Sequence, residues 1–414
     1  MNLIDHVIGA ATSRARPASQ GPADPVGQVG LVFSDWQPLR HVEDPLHKDL
    51  SAVTRVGDSL FLACDETASV ERLQRLDDGR FGAHAHFTLG AFIDLPGGDD
   101  GEMDIEGLCA ADGYLWVVGS HSRKRRTPKR GENSSEDALR RMERCEREPN
   151  RYCLARIPLA EAEPGLYAPA RRDGERRAAW VKFGKRHSRL LQWLARDPHL
   201  APFLEIPSKE NGLDIEGLAV RGSRVWLGMR GPVLRGHAVI LDLDLKDEAP
   251  GRLKARRVDG ERRYRKHLLD TRGLGIRDMR LDGDDLLLLV GPTMSLEGPA
   301  FVLRWCDAVH DDRSGVIAPE RIETVAELPY RLHVDHPEGL ELWPEAGPGA
   351  LLVIYDAPAP ERVEADAFTV WADVISPGQG GGDGLRSGRR GASGPEESPA
   401  SPPGPGPAPG VTPT

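Results

Sequence analysis

Three pentapeptides of the chain end in Glu-Gly-Leu: Asp104-Ile-Glu-Gly-Leu108, Asp214-Ile-Glu-Gly-Leu218 and His336-Pro-Glu-Gly-Leu340. If they occupy equivalent places in one ring, Glu106, Glu216 and Glu338 face one another, with Asp104 and Asp214 beside them. Carboxylates so placed repel unless a cation, a proton or an arginine offsets them. Calcium suits such a set, since it accepts six to eight oxygen ligands in flexible geometry. The same acids could instead accept backbone N–H bonds from a neighbouring segment and only fix packing. A bound cation, a packing role and direct catalysis all remain open on the residues alone. His121 is a candidate general base near Glu106, because an unperturbed imidazole titrates near neutrality. There is no GxxxxGK[ST], HExxH or GxSxG, so nucleotide-binding, zincin and hydrolase-elbow chemistry has no support.

The elements that must position these residues recur. Five segments pair an apolar anchor with a turn and a second apolar run. They are Asp49–Val53 with Leu60–Cys64, Asp104–Leu108 with Leu115–Gly119, Asp214–Leu218 with Val225–Met229, Ile276–Met279 with Leu286–Val290, and His336–Leu340 with Leu351–Tyr355. The turns Gly57-Asp58, Asp112-Gly113, Gly222-Ser223 and Gly283-Asp284 are hairpin signals. The anchors Val53, Leu108, Leu218, Met279 and Leu340 are spaced by 55, 110, 61 and 61 residues. A repeat of that length holding about four strands is a propeller blade. In such a blade the start of strand one and the end of strand two share a face. Asp65, Glu66, His121, Arg230 and Asp356 are thereby predicted on the same face as the acids. Aligning the anchors predicts an inner ring of Ser51, Glu106, Glu216, Arg277 and Glu338. Arg277, Arg230, Asp65 and Asp356 are then candidate ligand-binding residues, and Glu106, Glu216, Glu338, Asp104 and Asp214 candidate metal ligands.

The pattern predicts an all-β propeller of five blades over about 29–375. The 110-residue gap leaves six possible, and insertions at about 123–150 and 160–200 in the second blade account for it otherwise. Ser134 caps a predicted helix over 134–148, and a second is predicted over 188–196, both outside the blades. Val239–Leu243 and Phe301–Trp305 read as third strands. Phe87–Leu89, Phe203–Ile206 and Thr324–Leu328 read as fourth strands. Val29–Phe33 would close the ring beside Phe368–Trp371. Trp116 and Trp226 read as core between blades. The run Arg123–Arg126 with Lys129-Arg130 could bind an anionic partner or form a solvated loop. Residues 1–28 are expected to be flexible, and 376–414, rich in Gly, Pro and Ser, disordered.

The 414 residues carry 64 acidic against 54 basic side chains, a net charge of −10. That excludes a general nucleic-acid or anionic-membrane binder. No apolar run approaches the ~20 residues of a membrane helix. Five scattered cysteines without a CxxC predict free thiols in a reducing compartment. With no apolar leader near Met1, a cytoplasmic location is expected.

The Asp-Ile-Glu-Gly-Leu repeats, with His336–Glu341, resemble the bacterial family known as domain of unknown function 3616, over about 40–375. The resemblance implies a propeller-like β fold and brings no established activity or catalytic residues. The same strand starts are distantly similar to the phytase-like esterase and related calcium-binding propellers. Two functions follow as expectations. One is a non-catalytic propeller binding a small molecule, cation or protein at the channel mouth. The other is a calcium-dependent hydrolase of a phosphoester, ester or lactone.

Overall fold

The computed structural model describes residues 22–34, 46–128, 134–258 and 260–376. Most of the tail expected to be disordered, and residues 1–21, lie outside them.

The repeated hairpins all form, and two further strands extend each one. Unit one runs Leu50–Val56, Ser59–Cys64, Ser69–Arg75 and Phe81–Thr88, each antiparallel to the next. Unit two pairs Ile105–Ala111, Tyr114–Gly119, Leu154–Glu163 and Ala179–Val181. Unit three pairs Asp214–Arg221, Arg224–Gly231, His237–Ala249 and Arg265–Asp270. Unit four pairs Gly275–Asp282, Asp285–Gly291, Phe301–Trp305 and Ile322–Glu327. In the last unit His336–Leu342, Leu351–Asp356 and Thr369–Ile375 are joined by Pro25–Val32, from the other end of the chain. This N-terminal strand starts four residues before the expected boundary of the folded body, and its pairing with Thr369–Ile375 is the predicted closure. The first strands pack side by side in cyclic order, the last of them against the first. The architecture is all-β and propeller-like, and all five anchors lie on these innermost strands and are fully buried.

The second strands show why the sheets stack. Their runs are apolar without a gap because both faces are covered. Leu60 and Leu62 enter the core shared with the last unit, whereas Phe61 and Ala63 enter the core shared with unit two. Leu286, Leu288 and Val290 likewise face unit three, and Leu287 and Leu289 face the last unit. The two-residue period of a strand thus divides each run between two cores. Trp116 and Trp226 are both buried in such cores. A buried ion cluster ties the closing units together. Arg280 pairs with Asp278 at 2.8 Å and Glu341 at 3.2 Å, and also donates to the carbonyl of Val53.

The outer elements depart from the sequence reading in three places. The predicted fourth strand Phe203–Ile206 does not form; Ala201–Phe203 is a 3-10 turn with Pro202 in its first turn, where the fixed proline φ favours helical geometry. Ala179–Val181, inside the expected insertion, takes that edge instead and also pairs parallel with Arg252 and Leu253 of unit three. Helix α1 spans Ser135–Met142 and is capped as predicted, with Ser134 accepting from the Asp137 N–H at 3.1 Å. It stops before Glu143, short of the predicted end at 148, and Arg147 lies beyond it and pairs with Glu205. Helix α2, Arg189–Leu194, is not outside the sheets, because Leu190 and Leu194 enter the core between units two and three. All five cysteines are unpaired. Among the described residues no helix is long and apolar enough to cross a membrane.

The glycine of the Glu-Gly-Leu motif sits where inner strands meet. A Cβ on Gly107 would lie 2.7 Å from Val118 and 2.8 Å from Leu218 of the next unit. Gly107→Ala is therefore expected to cost about 1–3 kcal/mol through overpacking. A lowered denaturant midpoint with unchanged m-value would show it, and an unchanged midpoint would contradict the packing.

Candidate metal centre

Each inner strand carries one residue too many at the same level. The register skips Ser51 in unit one, Glu106 in unit two, Glu216 in unit three, Arg277 in unit four and Glu338 in the last unit. A β-bulge leaves its extra residue out of the ladder and re-aims its side chain. The five residues that the anchor alignment places on one ring are therefore the five bulge residues.

Their partners differ around the ring. Ser51 Oγ donates to the Ile105 carbonyl at 2.5 Å. Arg230 donates to Glu216 at 2.8 Å and to the Met294 carbonyl at 2.9 Å. Arg277 pairs closely with Glu338, reaches Glu216 at 3.7 Å and donates to the Pro292 carbonyl at 3.0 Å. Arg151, buried and unflagged by any pattern in its charged segment, pairs with Asp104 at 2.7 Å and with Glu102. Glu106 has no hydrogen bond or ion pair among the described residues, although it is only 8% exposed.

Two groups of carboxylates share Glu106. One oxygen each from Asp65, Asp104 and Glu106 lies within 4.8 Å of the others, and the same holds for Glu106, Asp214 and Glu216. Backbone bonds hold the groups together: the Asp104 N–H donates to the Asp65 carbonyl at 3.0 Å, Ser120 to Asp104 at 3.0 Å, and Ile215 to Ser120 at 2.9 Å. Among the described residues, Oδ1 of Asp65 and Oε2 of Glu216 have no hydrogen-bond partner. These clusters could hold a metal ion, and their all-oxygen donor set suits a hard cation.

Four of the five predicted metal residues are thus brought together with Asp65, which the sequence reading had set among ligand-binding residues. Glu338 stands in neither group and is held by Arg277. Arg230 serves as the partner of Glu216. Asp356 meets Asp49 across an isolated backbone bridge and lies 3.6 Å from His336. His121 is absent from both groups. It is buried with a φ of +57°, its Nδ1 donates to the Gly119 carbonyl at 2.8 Å, and burial pushes its pKa down to about 4. The near-neutral titration expected of it as a base is lost. Each residue of the run Arg123–Arg126 has a carboxylate partner, Glu205 for Arg123 (shared with Arg147), Glu102, Glu210 and Glu146 for the others, and Lys129-Arg130 lie outside the described residues.

Electrostatics follows from this crowding. Burial pushes the Glu106 carboxyl well above the usual range, and Asp65 and Glu216 add to it. Asp65 is raised by burial and by Asp49 and Asp104. Burial also raises Asp214, helped by Glu216 and opposed by Arg230, and raises Glu216 against the pull of Arg230 and Arg277.

An all-β propeller-like ring with a carboxylate-lined mouth is the class that fold and site define. The chain belongs to the family described as "Protein of unknown function (DUF3616)", whose model matches residues 49–373. Among curated proteins none matches the chain. Solved structures similar to it include a candidate 6-phosphogluconolactonase of Bacteroides fragilis, at 12% identity and TM-score 0.30, covering 73% of this chain and 61% of that one. The PQQ-bound aldose sugar dehydrogenase of Streptomyces coelicolor aligns at 11% identity and TM-score 0.31, covering 85% and 100%. Bacteroides ovatus xyloglucan PUL GH43B aligns at 11% identity and TM-score 0.31, covering 75% of this chain and 49% of that one. Nothing about this chain's activity is drawn from these likenesses.

Two outcomes are expected. A carboxyl whose folded pKa is raised contributes stability that is fully present below its unfolded value of about 4 and is lost as pH rises through the folded one. In chelator, the melting temperature should therefore fall as pH rises from about 4 through the raised folded values, and Glu106→Gln should flatten the decline; a flat wild-type profile would count against the buried cluster. Arg277→Ala should destabilise by about 3 kcal/mol, because Glu338 is left facing Glu216 without its guanidinium partner. Denaturant titration of that variant at neutral pH measures it.

Proposed function

We propose that the chain binds a divalent cation at the ring mouth through Asp65, Asp104, Glu106, Asp214 and Glu216, and that calcium is the cation selected. The observation that carries this reading is Glu106: nine-tenths buried, aimed by its bulge into four other carboxylates, and without a hydrogen-bond or ionic partner among the described residues. An uncompensated buried carboxylate is costly, and a cation between the two groups would offset both. The three arginines nearby do not suffice, since Arg151 is shared with Glu102 and Arg277 with Glu338. A flexible set of carboxylates with room for backbone carbonyls and water favours calcium over the stricter octahedron of magnesium. On this reading the cation anchors a small ligand at the mouth.

A second reading, a metal-dependent hydrolase of an ester, lactone or phosphoester, is favoured by one pair. Half-buried His336 has its Nδ1 3.6 Å from Asp356, which raises its pKa, and its Nε2 has no partner. Such an imidazole could hold or move a proton at Nε2. A bound cation would supply Lewis-acid polarisation of a carbonyl or phosphoryl oxygen.

Calcium at one hundred times its Kd should stabilise the folded state by about 2.7 kcal/mol. The expected result is a calcium-dependent rise in melting temperature that chelator reverses and that Glu106→Gln reduces. No response of the wild-type protein to calcium or chelator removes the metal reading. Turnover of chromogenic ester, lactone or phosphoester substrates that needs calcium and is lost in His336→Asn would select the hydrolase, and calcium binding without turnover would select the binding protein.

A further inference from the structure

A cavity of about 210 Å³ lies outside the carboxylate clusters, between His121–Arg123, the Lys185-Arg186 turn and helix α2. Its charge is opposite to that of the mouth. Arg123, Arg147, Lys185 and Arg186 line it, against one carboxylate, Glu205. Arg123 and Arg147 both pair with Glu205, Arg147 at 2.9 Å, so two guanidiniums share a single negative charge. Lys185 and Arg186 form the two-residue loop of a short hairpin whose strands pair Phe183 with Ser188 and Gly184 with His187. Neither has an ion pair or hydrogen bond among the described residues. Three positive charges are therefore in excess here, on a chain whose net charge is −10. Buried His121 also lines the cavity, and its Nε2 has no hydrogen-bond partner among the described residues.

The arginines that follow Arg123 in the chain are outside the lining and are neutralised, Arg125 by Glu210 and Arg126 by Glu146. Cations left unmatched at a concave surface repel one another, and an anion relieves that repulsion. Guanidinium groups present planar forks that suit phosphate oxygens, and a lysine adds a mobile point charge. The cavity is small beside the pockets of about 300–1,000 Å³ that enclose drug-sized ligands, so it suits one compact group rather than a whole large molecule. An excess of three charges matches a dianion better than a single carboxylate.

We propose that this cavity is an anion site that takes the phosphoryl group of a small phosphomonoester, held by Lys185 and Arg186 with Arg123 and Arg147. The site is independent of the metal reading, since none of its residues belongs to the carboxylate clusters.

The test is calorimetric titration of the full chain with inorganic phosphate, at low ionic strength and in chelator so that calcium plays no part. Saturable binding at one site is expected, with acetate at least tenfold weaker. Lys185→Ala/Arg186→Ala, at an exposed turn, should weaken phosphate binding at least tenfold, whereas Arg313→Ala, 91% exposed and outside the cavity lining, should leave it unchanged. In the histidine NMR spectrum the His121 ring signals should move along the same titration curve. Absence of saturable phosphate binding, equal losses in both variants, or a His121 signal that does not respond would overturn the proposal. The calcium-induced thermal shift should survive in Lys185→Ala/Arg186→Ala, which keeps the failure of one site distinct from the failure of the other.

Discussion

Five bulges at one level of the inner strands constrain everything at the mouth. Each takes a side chain out of the ladder and turns it towards the same place, so the five residues cannot be chosen independently. Two unit charges about 5 Å apart at an effective dielectric of 20 interact by about 3 kcal/mol. A ring of five glutamates would multiply that term beyond what a domain of ordinary stability tolerates. The chain instead places Ser51 in unit one, where a hydroxyl satisfies the Ile105 carbonyl, and Arg277 in unit four, where it holds Glu338 and approaches Glu216. Charge compensation is thereby concentrated on one side of the ring. The opposite side, at Glu106, is left with an acid that no side chain balances.

The pentapeptide motif meets three constraints at successive positions. The glutamate is the bulge, the glycine is the point of contact with the next inner strand, and the leucine is the anchor of the core beneath. Gly217 lies against Met279 and Ile276 of unit four, and Gly339 against Val53 of unit one, as Gly107 lies against Leu218. Where the motif changes, the chemistry of the level changes with it. In unit four the glycine position is Asp278, buried, with its pKa pushed up to about 7, and it accepts from the Leu340 N–H at 2.9 Å and from Arg280. A polar residue can stand at that crowded place because donors surround it, the Met279 N–H at 2.7 Å being a third.

The sequence was most legible where a period repeats. Anchors and second strands could be read because continuous apolar runs after hairpin turns belong to sheets covered on both faces, and the N-terminal strand because Val29–Phe33 had no hairpin partner of its own. The common height of Glu106, Glu216, Arg277 and Glu338 followed from counting back from the anchors. The bulges themselves were not visible, since no residue type marks them. Outer strands were read less well. Ala179–Val181 is too short to show alternation, while Phe203–Ile206 has the composition of a strand but follows Pro202. Arg151 gave no signal, because its partners Asp104 and Glu102 lie some fifty residues away in the chain and nothing local sets it apart from the surrounding arginines.

The long connection of unit two explains why the ring is asymmetric. Between Gly119 and Asp214 the chain leaves the inner hairpin and returns with Arg151, which closes one flank of the carboxylate clusters. The same connection carries Arg147, Lys185 and Arg186, and it places Glu205 against Arg123 and Arg147. The segment Ser120–Ser122 separates the two regions. Its Ser120 carbonyl accepts from Ile215 beside the acids, and His121 lines the basic cavity. Adjacent residues of one short segment thus serve two regions of opposite charge: Ser120 ties together the strands that carry the acids, and His121, which is in neither carboxylate group, lines the basic cavity.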